Sequence, residues 1–192
     1  CQYAASRKFI VDKICHKSAV STTKFVNTDK CKIGADKDEK EFLLIGDSHA
    51  RHFTRFFNYL GSKAETAGTV ATKSSCMPLL KLDASGENNT CYDKNILWYE
   101  KALNKGYQKV YLAAYWSGYL SNDSENLFAK HPRAIKTLSH EVTAEEIFYA
   151  RLEKSIQAVL ASGTIPVLVE QVPEFPYSIE NGVLGKIMAG PY

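Results

Sequence analysis

Apolar residues in this chain fall in short runs, and beyond residue 40 the runs alternate in kind. Phe42-Leu-Leu-Ile45 is apolar throughout and stops at Gly46-Asp47-Ser48, the pattern of a strand buried on both faces of a parallel sheet. Phe53, Phe56, Phe57 and Leu60 then recur at i, i+3, i+4 and i+7, which predicts an amphipathic helix with Arg51, Arg55 and Asn58 opposite and Gly61 as its stop. Thr66, Thr69, Val70 and Thr72 mark a second strand within 64–75, and Ser74-Ser75-Cys76-Met77-Pro78 ends it. A helical pattern runs from about Thr90 through Ile96, Leu97, Ala102 and Leu103 to Gly106, and a third strand covers Lys109 to Trp116. Residues 119–142 form a long polar connection. Thr143 and Glu146 have capping-box spacing at the start of the clearest helix, whose stripe is Ile147, Phe148, Leu152, Ile156, Val159 and Leu160, with Gly163 as a left-handed stop. Ile165 to Val169 is the fourth strand, and Pro173 ends it.

Strand alternating with helix four times predicts an α/β fold: a doubly wound, mostly parallel sheet with helices on both faces. It occupies residues 41–192. Residues 1–40, rich in Lys, Ser, Thr and Asp, read as a loop-dominated arm. No apolar run approaches the ~20 residues needed to cross a bilayer. The first residue is Cys1, with no leader pattern before it, so the chain reads as excised from something longer. A composition of 45% hydrophobic and 23% charged residues excludes a disordered tail, and a net charge of +3 spread through the chain does not call for nucleic acid as a partner.

Cysteine spacing changes the picture more. None of the five cysteines sits in a zinc-type pair of pairs, so no metal is expected, and no cofactor. Cys15 with Cys31 and Cys76 with Cys91 each bracket a polar, irregular stretch that a disulfide would staple, against the alternative of free buried thiols. Lys, Thr, Asn, Asp and Ser flank them, which favours disulfides and an oxidising compartment. Cys1 is left over.

In such a sheet, ligands bind at the carboxyl ends of the strands. Those ends deliver Asp47-Ser48-His49, Ser75, Trp116-Ser117 and Glu174 to one edge. Ser48 is the sharpest candidate, because a serine at a strand-to-helix turn exposes its hydroxyl beside the N–H groups of the first helical turn. The plain alternative is that Ser48 only caps the helix, a role worth about 1 kcal/mol. Asp47 and His49 flank it too closely in sequence to serve as its base and are expected to make structural hydrogen bonds. His52, His131 and His140 are expected in solvent. Glu174 could meet substrate or simply be solvated. The glycosylation-type triplets at Asn88 and Asn122 decide nothing.

Taken together, these segments resemble a known family. Gly46-Asp-Ser-His49 after an apolar strand resembles the first motif of the SGNH (GDSL-like) hydrolases. Phe42–Ala50, Ser75-Cys-Met-Pro-Leu79, Val110–Ser117 and Val172-Pro-Glu-Phe-Pro176 resemble, more closely, the extracytoplasmic SGNH domain attached to bacterial membrane acyltransferases of the acyltransferase-3 type, which O-acetylate surface glycans. The resemblance runs from about Cys15 to about Tyr177. It implies that Ser48 is the nucleophile that takes an acetyl group and passes it to a sugar hydroxyl. It implies that the backbone N–H groups of Ser48 and Ser75 form the oxyanion hole. The implied partners are an acyl donor, a glycan acceptor and a membrane acyltransferase domain in the same polypeptide.

Two departures from the family pattern stand out. Trp116-Ser117 replaces an asparagine donor, which weakens the hole and would suit transfer over hydrolysis; Trp116 itself could stack on a sugar or belong to the core. The Asp-x-x-His that supplies the family's base occurs nowhere in the 192 residues. This reads as C-terminal truncation or as a divergent inactive branch, and little turnover of an aryl acetate is expected. The competing readings are a non-catalytic glycan-binding domain and a flavodoxin-like phosphate or nucleotide binder, the latter without a glycine-rich loop.

Overall fold

The structure is a computed structural model that describes residues 13–16, 31–80, 91, 95, 97–100, 106–120 and 144–171. Five strands form one sheet: β1 (Lys32–Gly34), β2 (Phe42–Gly46), β3 (Ala67–Thr72), β4 (Lys109–Ala113) and β5 (Ile165–Val169). The helices are α1 (Ser48–His52), α2 (Thr54–Lys63), α3 (Trp116–Leu120) and α4 (Ala144–Ala161), and a 3-10 turn covers Lys13–His16. Strand order is β1-β3-β2-β4-β5, with β1 antiparallel to β3 and the other four strands parallel. This is the α/β arrangement expected from the alternation.

Side-chain alternation along the strands explains why both faces are covered. Leu43 and Ile45 of β2 and Val110 and Leu112 of β4 pack with Trp98, Tyr99, Tyr107 and Val159 in one buried layer. Phe42 and Leu44 of β2 and Val70 of β3 point the other way, onto Ile33, Ala50 and the Cys15–Cys31 pair. β2, at the centre, is buried at every residue. The chain winds from β2 to β3 on one side and then crosses to β4 on the other, so the switch in direction lies at the carboxyl end of β2.

Several expectations need correcting. Lys32–Gly34, within the expected loop-dominated arm, pair with Gly68 and its neighbours as β1. The first helix is interrupted at Phe53, giving α1 and α2. Its apolar stripe is only half used, for Phe56 is 55% and Leu60 44% exposed. α2 packs on β1 instead: the side-chain oxygen of Asn58, expected on the outer face, accepts the Gly34 N–H at 3.0 Å. Gly61 does not stop the helix. It lies inside α2, and a Cβ there would come within 2.8 Å of the Gly34 Cα.

The third strand ends at Ala113, not Trp116, because Trp116 opens α3; Tyr119, expected in the polar connection, is helical and buried. On α4, Leu160 is exposed and Ser155 takes the buried position. Ser155 can sit there because its hydroxyl donates to the Arg151 carbonyl and accepts the Leu80 N–H, at 2.7 and 2.8 Å. The expected helix near 90–106 is helical at 91, 95 and 97–100, where Trp98 and Tyr99 supply the buried side chains. Thr143, Glu174, His131, His140, Cys1 and both glycosylation-type triplets lie outside the described residues.

Candidate active site

The turn from β2 into α1 is built by Gly46. Its φ is +153°, and a Cβ would lie 1.7 Å from the Ala113 carbonyl oxygen and 2.7 Å from the Ala50 Cβ. Only glycine lets β4 and α1 approach this closely. Gly46 pairs with Thr72 and with Ala113, so Asp47, Lys73 and Ala114 emerge side by side at one edge.

Asp47 is 2% exposed, yet its carboxylate is fully engaged. One oxygen accepts the His49 N–H at 2.8 Å; the other accepts the Tyr115 N–H at 2.9 Å and the Tyr119 hydroxyl at 3.0 Å. Burial, and then the Asp47 charge, pushes the Tyr119 hydroxyl far above the usual tyrosine range, so it remains a donor. Asp47, not Ser48, is the N-cap of α1. The capping alternative for Ser48 therefore falls away, because the side chain one residue earlier already takes that position. Ser48 is the first helical residue and is half-buried.

His49 stacks on Tyr115 with ring centroids 4.6 Å apart and planes 8° from parallel. Its Nδ1 is buried without a hydrogen-bond partner, 3.8 Å from an Asp47 oxygen. The ring is thus fixed against the β4 end, while His52 is exposed 5.6 Å away.

Ser75 occupies the exposed turn after β3, in which the Cys76 N–H donates to the Lys73 carbonyl at 3.2 Å. Its φ is +54°, the left-handed region where a glycine would be at ease. The loop behind it is firmly held. Cys76 is bonded to Cys91, Asn95 donates to the Met77 carbonyl at 2.6 Å, and Tyr99 donates to the Pro78 carbonyl at 2.7 Å. The residues just after Ser75 are thus held by a disulfide and two side-chain hydrogen bonds.

Trp116 is partly buried and anchored, its indole N–H donating to the Val169 carbonyl at 2.9 Å. With Phe148, Leu152, Leu168, Val169 and Glu170 it lines a groove of about 240 Å³ at the end of β5. Ser117 is exposed and tied to Gln171 by two hydrogen bonds of 2.9 Å. The residues singled out from sequence thus divide into a cluster on β2 and α1, a rigid turn after β3 and a groove between α3 and β5.

Tyr115 and Tyr119 escaped the sequence reading, although their one-turn spacing beside Trp116 was a helical signal. His16 escaped it too. Bonded next to Cys15, it is carried by the Cys15–Cys31 disulfide to the end of β3, where its Nδ1 hydrogen-bonds the Thr72 hydroxyl. Burial, reinforced by the Arg51 charge, pushes His16 down to about 4. Among the described residues no cluster of His, Cys, Asp or Glu could hold a metal ion, and no helix is long and apolar enough to cross a membrane.

No curated protein and no solved structure matches the chain. The family model described as the SGNH domain (fused to AT3 domains) matches residues 14–187, taking in both disulfides, all five strands and the Asp47-Ser48 turn. The chain therefore belongs to the SGNH domain family that occurs fused to AT3, the acyltransferase-3 domains.

Proposed function

We propose that Ser48 accepts an acetyl group and passes it to a hydroxyl of a cell-surface glycan, on the extracytoplasmic side of the membrane, as part of a polypeptide that also carries the membrane acyltransferase domain. Membership of an acyl-transfer and hydrolase family gives the reaction class. The observation that carries the reading is the division of labour at the turn, where Asp47 caps α1 and the adjacent Ser48 hydroxyl is half-buried at the switch point of the sheet.

In the first step the Ser48 Oγ–acyl bond forms and the bond to the donor's leaving group breaks. In the second, the sugar oxygen takes the acyl group and Ser48 regains its proton. The Ser48 and Ser75 N–H groups are the proposed donors to the oxyanion in both steps. The proton from Oγ needs a base, and Asp47 is not free to act as one because three donors hold it. The Asp-x-x-His of the family pattern, which this sequence lacks, is the base the resemblance implies. Two disulfides support an oxidising, extracytoplasmic setting.

The test is to incubate the protein, with its membrane acyltransferase domain, with an isotopically labelled acetyl donor and locate the label by mass spectrometry. Label on Ser48, lost in Ser48→Ala together with glycan acetylation, is expected. Glycan acetylation that survives in Ser48→Ala would overturn the reading.

A further inference from the structure

The carboxyl edge of the sheet is unevenly charged around Ser48. Arg51 is one turn after Ser48 on α1, exposed, with its N–H bonded to the Asp47 carbonyl at 3.2 Å. Lys73 follows β3, and its N–H donates to the Gly46 carbonyl at 2.9 Å, two residues before Ser48. The backbones of the two basic residues thus adjoin the same turn, one from the helix and one from the end of the neighbouring strand. His16 is bonded to Thr72, the residue before Lys73, and is close enough to Arg51 to feel its charge. Lys73 is half-buried, and that burial pulls its ammonium below the usual lysine range.

No carboxylate among the described residues pairs with Arg51 or Lys73. Asp47, in the turn before Arg51, is buried and turned to its three donors. Glu170 follows β5, which is separated from β3 by β2 and β4. The β3 side of the site is therefore cationic, while the β5 side offers the apolar groove beside Trp116.

We propose that the glycan handled at Ser48 is anionic, and that Arg51 and Lys73 bind a carboxylate or phosphate on the sugar next to the one whose hydroxyl reacts. The inference rests on the Ser48 reading for its place in the reaction, but the charge recognition can be tested apart from it. A guanidinium and an ammonium on either side of the nucleophile would hold an acidic sugar in one register and leave a neighbouring hydroxyl over the serine.

The experiment is a calorimetric titration of the protein with three probes: a trimer of galacturonic acid, a sugar phosphate, and maltotriose as the neutral control. Each is titrated at low and at high ionic strength. Binding of at least one anionic probe, weakened by salt and at least about tenfold tighter than that of maltotriose, is expected. Which anion binds tells carboxylate from phosphate. Arg51→Gln and Lys73→Gln should each weaken that probe about five- to tenfold and leave maltotriose unchanged. Ser48→Ala should bind as well as the parent, so failure of the acyl-enzyme reading leaves this result standing. Equal binding of neutral and anionic probes, no binding of either anion, or anion binding that both glutamine variants preserve would overturn the proposal. Unchanged melting temperatures of the two variants separate lost recognition from lost folding.

Discussion

Tyr119 donates its hydroxyl to the buried Asp47 carboxylate at 3.0 Å, joining the residue before Ser48 to the helix that follows β4. The two lie 72 positions apart in sequence, so this bond couples the turn that carries Ser48 to the far side of the switch point. Tyr119→Phe leaves the carboxylate with two donors and should cost about 1.5–3 kcal/mol, as for a hydrogen bond to a charged group. Urea denaturation would check it, and a loss within error would show that water replaces the hydroxyl.

That Asp47 and not Ser48 caps α1 gives a sharper test. Ser48→Ala should change stability by no more than about 0.5 kcal/mol, because no cap is lost. Asp47→Ala should cost at least about 3 kcal/mol, because it orphans the His49 and Tyr115 N–H groups and the Tyr119 hydroxyl. Equal losses in the two variants would show that Ser48 shares the capping role.

Ser75 holds a left-handed conformation that costs a side-chain-bearing residue about 1 kcal/mol or more. Ser75→Gly should raise the thermal midpoint and preserve Ser48 acylation, since the backbone N–H is unchanged. Ser75→Val should lower the midpoint, since a β-branched residue tolerates positive φ least.

The Cys76–Cys91 bond closes a loop of 15 residues, for which chain entropy gives about 3 kcal/mol. Cys76→Ser with Cys91→Ser should lose about that much. It should also slow acylation of Ser48 by loosening the Ser75 turn. Differential scanning calorimetry and the labelling rate report the two effects separately.

His16 sets a pH dependence of known sign. Burial and Arg51 hold it near 4 in the folded protein, so the unfolded chain takes up the proton first, from about 6.5 downward. Its contribution to stability is fully present above pH ~6.5 and is lost as pH falls toward 4. His16→Asn, which keeps a hydrogen-bonding group near Thr72, should flatten the urea midpoint across that window. An unaltered profile would place the imidazole in solvent.

Much of this architecture could be read from the chain because β2 and β4 carry apolar runs set between neighbouring strands, and β5 carries one at the edge of the sheet. β5 begins at Ile165 and ends at Val169, as its apolar run does. β1 could not be read that way. Three residues show no period, and they became a strand only through pairing with β3. The helix after Ser48 misled for a related reason: its aromatic stripe was visible, but the partner that selects Asn58 and Gly61 as the packed face is β1 itself. At the candidate site, Ser48, Ser75 and Trp116 are singled out by their places after apolar runs. Tyr119 and His16 could not, since each arrives through a contact with a residue more than fifty positions away.

β1 also has a consequence for the protein as a solute. β3 is six residues long and buried throughout, so a bare outer edge there would be a ready template for another chain's strand. The three residues of β1 run antiparallel along that edge, and the Cys15–Cys31 bond secures the residue just before them. Reduction of that one bond should therefore show itself first as strand-to-strand aggregation, before any effect on the Ser48 turn.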